Sequence, residues 1–239
     1  DNPYREEAED VWFTAADSTR LHGLYFPSKR NPATATVIYF HGNSGNVADV
    51  AWFAEELSEH KFNVLLFDYR GYGLSGGQAG AESGLYADGD AALAYVLGNK
   101  SAAPGKVVLY GQSLGTAIAT DVASRHPCGA LILESGFSSG SAVASYHLPW
   151  LPHWLHFLGR NRFESARKLK SVHAPVLITH GKPDTIIPTE EAQVLFAAAV
   201  GPKKLLIFPG AGHNVFGAAG DGYVRQLEEF IRASLKMNK

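Results

Sequence analysis

Along the chain, short continuous apolar runs rich in β-branched residues alternate with longer stretches whose apolar positions recur every three or four residues. The short runs are Thr36–Phe40, Phe62–Phe67, Lys106–Tyr110, Ala130–Leu133, Pro175–Thr179 and Lys204–Phe208. Unbroken apolar runs of this length are the pattern of strands buried on both faces of a parallel sheet. Val47–Lys61 carries Val50, Phe53, Ala54 and Leu57 at helical spacing. Leu85–Leu97, the small-residue stretch from Leu114, Thr189–Ala199 and Gly222–Lys236 predict further helices. Thr189 is the expected cap of its helix, with Glu190 and Glu191 in the favourable first turn. Near the start, Val11–Thr14 and Leu21–Phe26 flank a turn-like Ala16–Thr19 segment and predict a hairpin. Strands separated by helices imply right-handed crossovers. The expected fold is therefore α/β: a mainly parallel central sheet, helices on both faces, and the hairpin as an antiparallel N-terminal edge.

One stretch breaks the rhythm. About forty residues separate the run ending at Leu133 from the one starting at Pro175, where a short connection and one helix would suffice. Within it, Tyr146–Leu158 is dense in aromatics and kinked by prolines. Long insertions in compact domains are usually functional, so an apolar lid over a site is expected at about 136–174, within a single domain spanning 1–239. His147, His153 and His156 resemble a metal cluster at first glance. Their spacing and the absence of an acidic ligand among them place them instead on the lid surface.

Composition narrows the function classes. With 239 residues, 46% hydrophobic and 18% charged, the chain is long and apolar enough for one sizeable core. A net charge of -2 gives no basic footprint for nucleic acid. One cysteine, Cys128, rules out an internal disulfide and a cysteine-based zinc site. No apolar run reaches the ~18 residues that span a bilayer. The chain starts at Asp1 without a methionine, so both a cytoplasmic form and an extracytoplasmic or membrane-anchored form trimmed of its leader fit the sequence.

The chemistry centres on Lys106–Thr120, which reads as a strand, the turn Gly111-Gln112-Ser113-Leu114-Gly115, and a helix. That order gives a G-x-S-x-G motif its meaning: the flanking glycines permit a tight turn that lifts the serine to the carboxyl end of the sheet. Serine needs an imidazole base, itself oriented by a carboxylate. In this context the partners follow in the order acid, then histidine, each just past a strand. Asp184 follows the Pro175–Thr179 strand and His213 follows Lys204–Phe208, so Ser113, Asp184 and His213 form the candidate triad. Glu134 is the reserve acid, and His180 is expected to pack against its strand end. For the oxyanion, the backbone N–H groups of Leu114 and Asn43 are the expected donors, with Ser44 the alternative to Asn43. His41 is expected to brace the loop that carries Asn43. Gly71–Gly76 spells G-x-G-x-x-G, but no helix opens within it and no acidic residue ends a following strand. It reads instead as the pocket floor, with Tyr69 or Tyr72 facing the site.

Together, His41–Asn46, Asp68–Ser75, Gly111–Gly115, Gly181–Asp184 and Gly212-His213 resemble the α/β-hydrolase superfamily across nearly the whole chain. The sequence looks most similar to its small serine hydrolases, including membrane-anchored protein depalmitoylases and monoacylglycerol or lysophospholipid lipases. The resemblance implies Ser113 as nucleophile, Asp184 as acid, His213 as base, no cofactor and no metal, with selectivity set between Gly136 and Ala174. The expected substrate is a small-molecule ester or thioester of a medium-to-long acyl chain, presented in solution or at a membrane surface to a monomeric enzyme. Tyr72, Trp150, Trp154 and Phe157 are the expected substrate contacts. Three rivals share the fold. A peptidase or amidase would use the same triad, whereas a dehalogenase or epoxide hydrolase would need a carboxylate at position 113. A non-catalytic binding module would lack a triad member.

Overall fold

The computed structural model describes residues 4, 6–148, 150 and 161–237. Its strands are β1 (Glu9–Thr14), β2 (Arg20–Phe26), β3 (Ala35–Phe40), β4 (Phe62–Phe67), β5 (Val107–Gln112), β6 (Ala130–Glu134), β7 (Val176–Gly181) and β8 (Lys203–Phe208). The helices among the described residues are α1 (Ala51–Glu59), α2 (Glu82–Asn99), α3 (Leu114–Arg125), α4 (Gly140–His147), α5 (Ser165–Leu169), α6 (Glu190–Ala198) and α7 (Val215–Met237). All strands join one sheet in the order β1-β2-β4-β3-β5-β6-β7-β8. β2 runs antiparallel to both β1 and β4, and the remaining pairs are parallel. The hairpin is the antiparallel edge, as its composition predicts.

The unbroken apolar runs have a direct physical reading. Successive side chains of a strand point to opposite faces, and here both faces are covered. Ile38, Phe40, Leu65, Phe67 and Leu109 join α2, α3, α5 and α6 in one core. Val37, Tyr39, Val64, Leu66, Val108 and Tyr110 join α1 and α7 in the other. Strand order reverses at β3, which lies between β4 and β5. The connection leaving β3 goes to α1 on one face, and the one leaving β5 goes to α3 on the other. Such a divergence marks the switch point at whose carboxyl side ligands of open α/β sheets bind.

Two helices differ from expectation. Val47–Lys61 opens with a 3-10 turn, Val47–Val50, before α1 begins. Asn46 caps that turn through the Ala48 N–H while Asp49 reaches back to the Asn46 N–H, a reciprocal capping box. The last helix starts at Val215, seven residues ahead of the expected Gly222, and runs through a kink at Gly220, where φ is 53°. Acceptors from elsewhere in the fold hold its first turn. Thr189 also departs from its expected role: its side chain makes no cap bond. The hydroxyl donates instead to the carbonyls of Gly181 and Lys182 at 3.2 and 3.0 Å, tying α6 back to the end of β7.

Candidate active site

Ser113 sits between β5 and α3 with φ 53° and ψ -119°, a left-handed conformation that costs a serine strain. The turn closes because its flanking positions lack side chains. A Cβ on Gly115 would collide with the Phe40 carbonyl oxygen, and one on Gly111 with the Gly115 carbonyl oxygen. The Ser113 N–H donates to the Glu134 carbonyl at 2.9 Å, which ties the turn to the neighbouring strand. The N–H of Leu114 opens α3, where no earlier carbonyl of the helix can accept it.

The ends of β5 to β8 lie side by side, with Gln112 opposite Glu134, Glu134 opposite Thr179, and Gly181 opposite Phe208. Loops leaving them therefore emerge along one edge. Asp184 follows β7 and His213 follows β8, and His213 Nδ1 donates to Asp184 Oδ2 at 2.8 Å. With Nδ1 carrying the proton, Nε2 of the ring is left as a proton acceptor. The Asp184 carboxylate is fully buried at its side chain while the His213 ring is 18% exposed. Burial alone would raise the Asp184 carboxyl. Hydrogen bonds from His180, His213 and the N–H groups of Ile187 and Ile186 outweigh it and hold the group below the ordinary carboxylate range.

His180 does more than pack. Its buried ring places Nε2 3.2 Å from Asp184 Oδ2 and 2.9 Å from the Ile187 carbonyl. Both neighbours are acceptors, so Nε2 carries the proton and shares it between them. Two histidines thus grip the same carboxylate oxygen. Glu134, the reserve acid, makes no hydrogen bond or ion pair with His213, which bonds Asp184 instead. Its Oε1 accepts the N–H groups of Val215 and Phe216 at 2.7 and 3.1 Å, and its Oε2 accepts the Tyr110 hydroxyl.

His41 braces its loop as expected. It is buried, donates from Nδ1 to the Gly42 carbonyl at 2.7 Å, and lies against the Tyr69 ring at 4.3 Å between centroids. Tyr69 is wholly buried and donates to the His41 carbonyl at 3.0 Å, so of the two tyrosines only Tyr72 faces outward. The Tyr72 hydroxyl lies 3.2 Å from the Asn43 carbonyl and 3.1 Å from its Oδ1, which pins the residue expected to supply an oxyanion donor. Gly71–Gly76 holds no dinucleotide site: Ser75 Oγ bridges the His22 N–H and the Asp68 carbonyl, and α2 opens only at Glu82.

The insertion is closed at its base. Gly140 N–H donates to the Arg162 carbonyl at 2.7 Å, and Ala166 N–H to the Ser138 carbonyl at 3.0 Å. Glu82 Oε2 accepts the N–H groups of Arg162 and Phe163. His147 at the end of α4 donates to the Ile186 carbonyl at 2.8 Å, joining the insertion to the loop that carries Asp184. Trp150 is 77% exposed rather than packed in a cleft. Trp154, Phe157, His153 and His156 lie outside the described residues. Among the described residues, no group of three or more His, Cys, Asp or Glu side chains is arranged to hold a metal ion, and no helix is long and apolar enough to cross a membrane.

The chain matches the family model described as serine aminopeptidase, S33, over residues 31–167. It is 40% identical over 205 residues to an uncharacterized protein of Mycobacterium tuberculosis strain H37Rv, covering 86% of this chain and 72% of that one. Alpha/beta hydrolase domain-containing protein 17C of Mus musculus is 31% identical over 230 residues, covering 96% of this chain and 69% of that one. Among solved structures, the Pyrococcus furiosus esterase Pf2001 has a TM-score of 0.81 at 21% identity, covering 98% of this chain and 96% of that one. That last likeness is one of fold.

Proposed function

The chain belongs to the α/β-hydrolase superfamily, in the family described as serine aminopeptidase, S33, and on that premise we propose that it is a serine hydrolase of carboxylic esters or thioesters. The observation that carries the reading is the pairing of a strained Ser113 turn with a His213–Asp184 bond of 2.8 Å at the same sheet edge. In the proposed reaction, Ser113 Oγ attacks the acyl carbonyl while His213 Nε2 takes its proton. Charge on the tetrahedral oxygen is met by the N–H groups of Leu114 and Asn43. His213 returns the proton to the departing alcohol or thiol, leaving an acyl-serine. Water, deprotonated by the same ring, attacks the acyl carbonyl and releases the acid and Ser113. Asp184 holds the ring and stabilises the imidazolium. The insertion at 136–174 is the proposed lid, and its apolar composition favours a medium-to-long acyl chain.

The test is hydrolysis of p-nitrophenyl esters from acetate to palmitate by the native chain and by Ser113→Ala. A loss of roughly 10⁴-fold or more in kcat is expected for the variant, together with fluorophosphonate labelling of Ser113 in the native chain. An active Ser113→Ala protein would overturn the reading, and a clear preference for acetate would overturn the chain-length assignment. The family's description as serine aminopeptidases favours one second reading, cleavage of an amide. Amino-acyl p-nitroanilides cleaved faster than every ester in the series would establish it.

A further inference from the structure

We propose that Glu134 is a positioning residue that sets the base His213 against the nucleophile Ser113, acting through the first turn of α7. The inference rests on the catalytic reading of those two residues. Glu134 ends β6, and its register partner on β5 is Gln112, the residue before the nucleophile. Its backbone carbonyl accepts the Ser113 N–H at 2.9 Å. Its side chain points to the other partner. Oε1 takes the N–H groups of Val215 and Phe216, the first two residues of α7, at 2.7 and 3.1 Å. His213 lies two residues ahead of that helix. One residue therefore touches the nucleophile through its main chain and the base's helix through its carboxylate.

The side chain is itself held in place. Oε2 accepts the Tyr110 hydroxyl; that hydroxyl lies 2.9 Å from the Tyr223 hydroxyl, which is 3.0 Å from Thr179 Oγ1. The chain of contacts runs from β5 through α7 to β7, so three elements fix the orientation of one carboxylate. Helix stability alone explains little of this. Asn214 already caps α7 by accepting the Gly217 N–H at 2.8 Å, and burying a carboxyl group is costly unless donors surround it. Burial pushes the Glu134 carboxyl up, against the hydrogen bonds from Tyr110, Phe216 and Val215. The base's loop also lies hard against the end of β7: a Cβ on Gly181 would collide with the carbonyl oxygens of Gly212 and Ala211. The His213 loop is thus held at both ends, against β7 before the histidine and to Glu134 after it. A misplacement of about 1 Å in such a constellation costs on the order of 100-fold in rate.

The experiment compares Glu134→Leu and Glu134→Gln with the native chain on a p-nitrophenyl ester. Glu134→Leu removes the acceptor and is expected to lower kcat about 100-fold with KM within about threefold. Glu134→Gln keeps an acceptor for Val215 and Phe216 and is expected to restore kcat to within about fivefold of native. A folded Glu134→Leu protein with native kcat, or a Glu134→Gln protein as impaired as Glu134→Leu, overturns the proposal. If Glu134→Leu does not fold by circular dichroism, Val215→Pro deletes one donor at the first helical position, where proline is tolerated. It leaves Glu134 intact, and its expected effect is about a tenfold loss of kcat at constant KM. Native kcat in that variant overturns the proposal. Activity retained in Ser113→Ala would sink the catalytic reading itself. Loss of activity in Ser113→Ala, with Glu134 variants that behave as native, would sink only the role of Glu134.

Discussion

Ser113 holds φ at 53°, a value at which a side chain costs on the order of 1–3 kcal/mol and a glycine almost nothing. Ser113→Gly is therefore expected to be more stable to urea than Ser113→Ala by about 1 kcal/mol, with both variants inactive. Equal midpoints would show that the turn stores no strain at this residue. Asp184 makes a second prediction. Its folded-state carboxyl lies below the ordinary range, so the native state gives up that proton more readily than the unfolded chain. The stability this contributes is complete above the unfolded value of ~3.9 and declines as pH falls below it. Asp184→Asn has no such titration, and its melting temperature is expected to fall less steeply than that of the native chain between about pH 4 and pH 2. Parallel profiles would refute the assignment. Ser113, Asp184 and His213 could be singled out in the sequence as a candidate triad because each sits just past a predictable strand, in a fixed order. The grip of His180 on Asp184 Oδ2 could not, since it depends on how the loop through Ile187 folds back over β7.

Among the elements, the strands were readable and the ends of the helices were not. An apolar run declares a buried strand by itself, but a helix starts where its free N–H groups find acceptors. For α7 those acceptors include Glu134 on β6, about eighty residues away in sequence, so no local pattern marks Val215 as the start. Gly217, Gly220 and Gly222 argue locally against a helix there, and the distant carboxylate overrides them. Thr189 shows the converse. It has the residue type of a cap, yet the end of β7 offers carbonyls that claim its hydroxyl. The loop after β3 depends on Tyr72 in a similar way. Tyr72→Phe removes the hydroxyl that pins Asn43. Its expected effect is about a tenfold drop in kcat, with less than about 1.5 kcal/mol lost in stability. A native kcat would separate Tyr72 from the role proposed for Asn43.

At the scale of the whole molecule, the sheet holds two cores apart and a few buried ion pairs tie the periphery to it. Asp88 on α2 is fully buried and accepts from the Arg70 N–H at 2.8 Å and from its guanidinium at 2.8 to 3.1 Å. Arg70 also reaches Asp17 at the tip of the hairpin, at 2.6 Å. Hairpin, loop and helix are thereby joined through one guanidinium. Arg70→Ala would strand the buried carboxylate and is expected to cost about 3–5 kcal/mol in urea unfolding. A loss below about 1 kcal/mol would mean that water or a rearranged loop compensates. The alternation of apolar runs and helical stretches anticipates an α/β fold but says nothing of such cross-ties, because pairing across 18 and 53 residues is a property of the fold.

The closed neck of the insertion has a consequence for how such a protein can diversify. Ser138 and Gly140 are bonded to Ala166 and Arg162, so the two stems meet before the intervening chain departs. The chain between them leaves from and returns to one fixed neck, and on its way it touches the loop of Asp184 where His147 donates to the Ile186 carbonyl. Under the proposed lid role, exchanging residues 148–160 for the equivalent stretch of a relative, with His147 kept, is expected to shift acyl preference in the p-nitrophenyl series while leaving the rate of fluorophosphonate capture unchanged; a changed capture rate would show that the stretch also shapes the Ser113 turn.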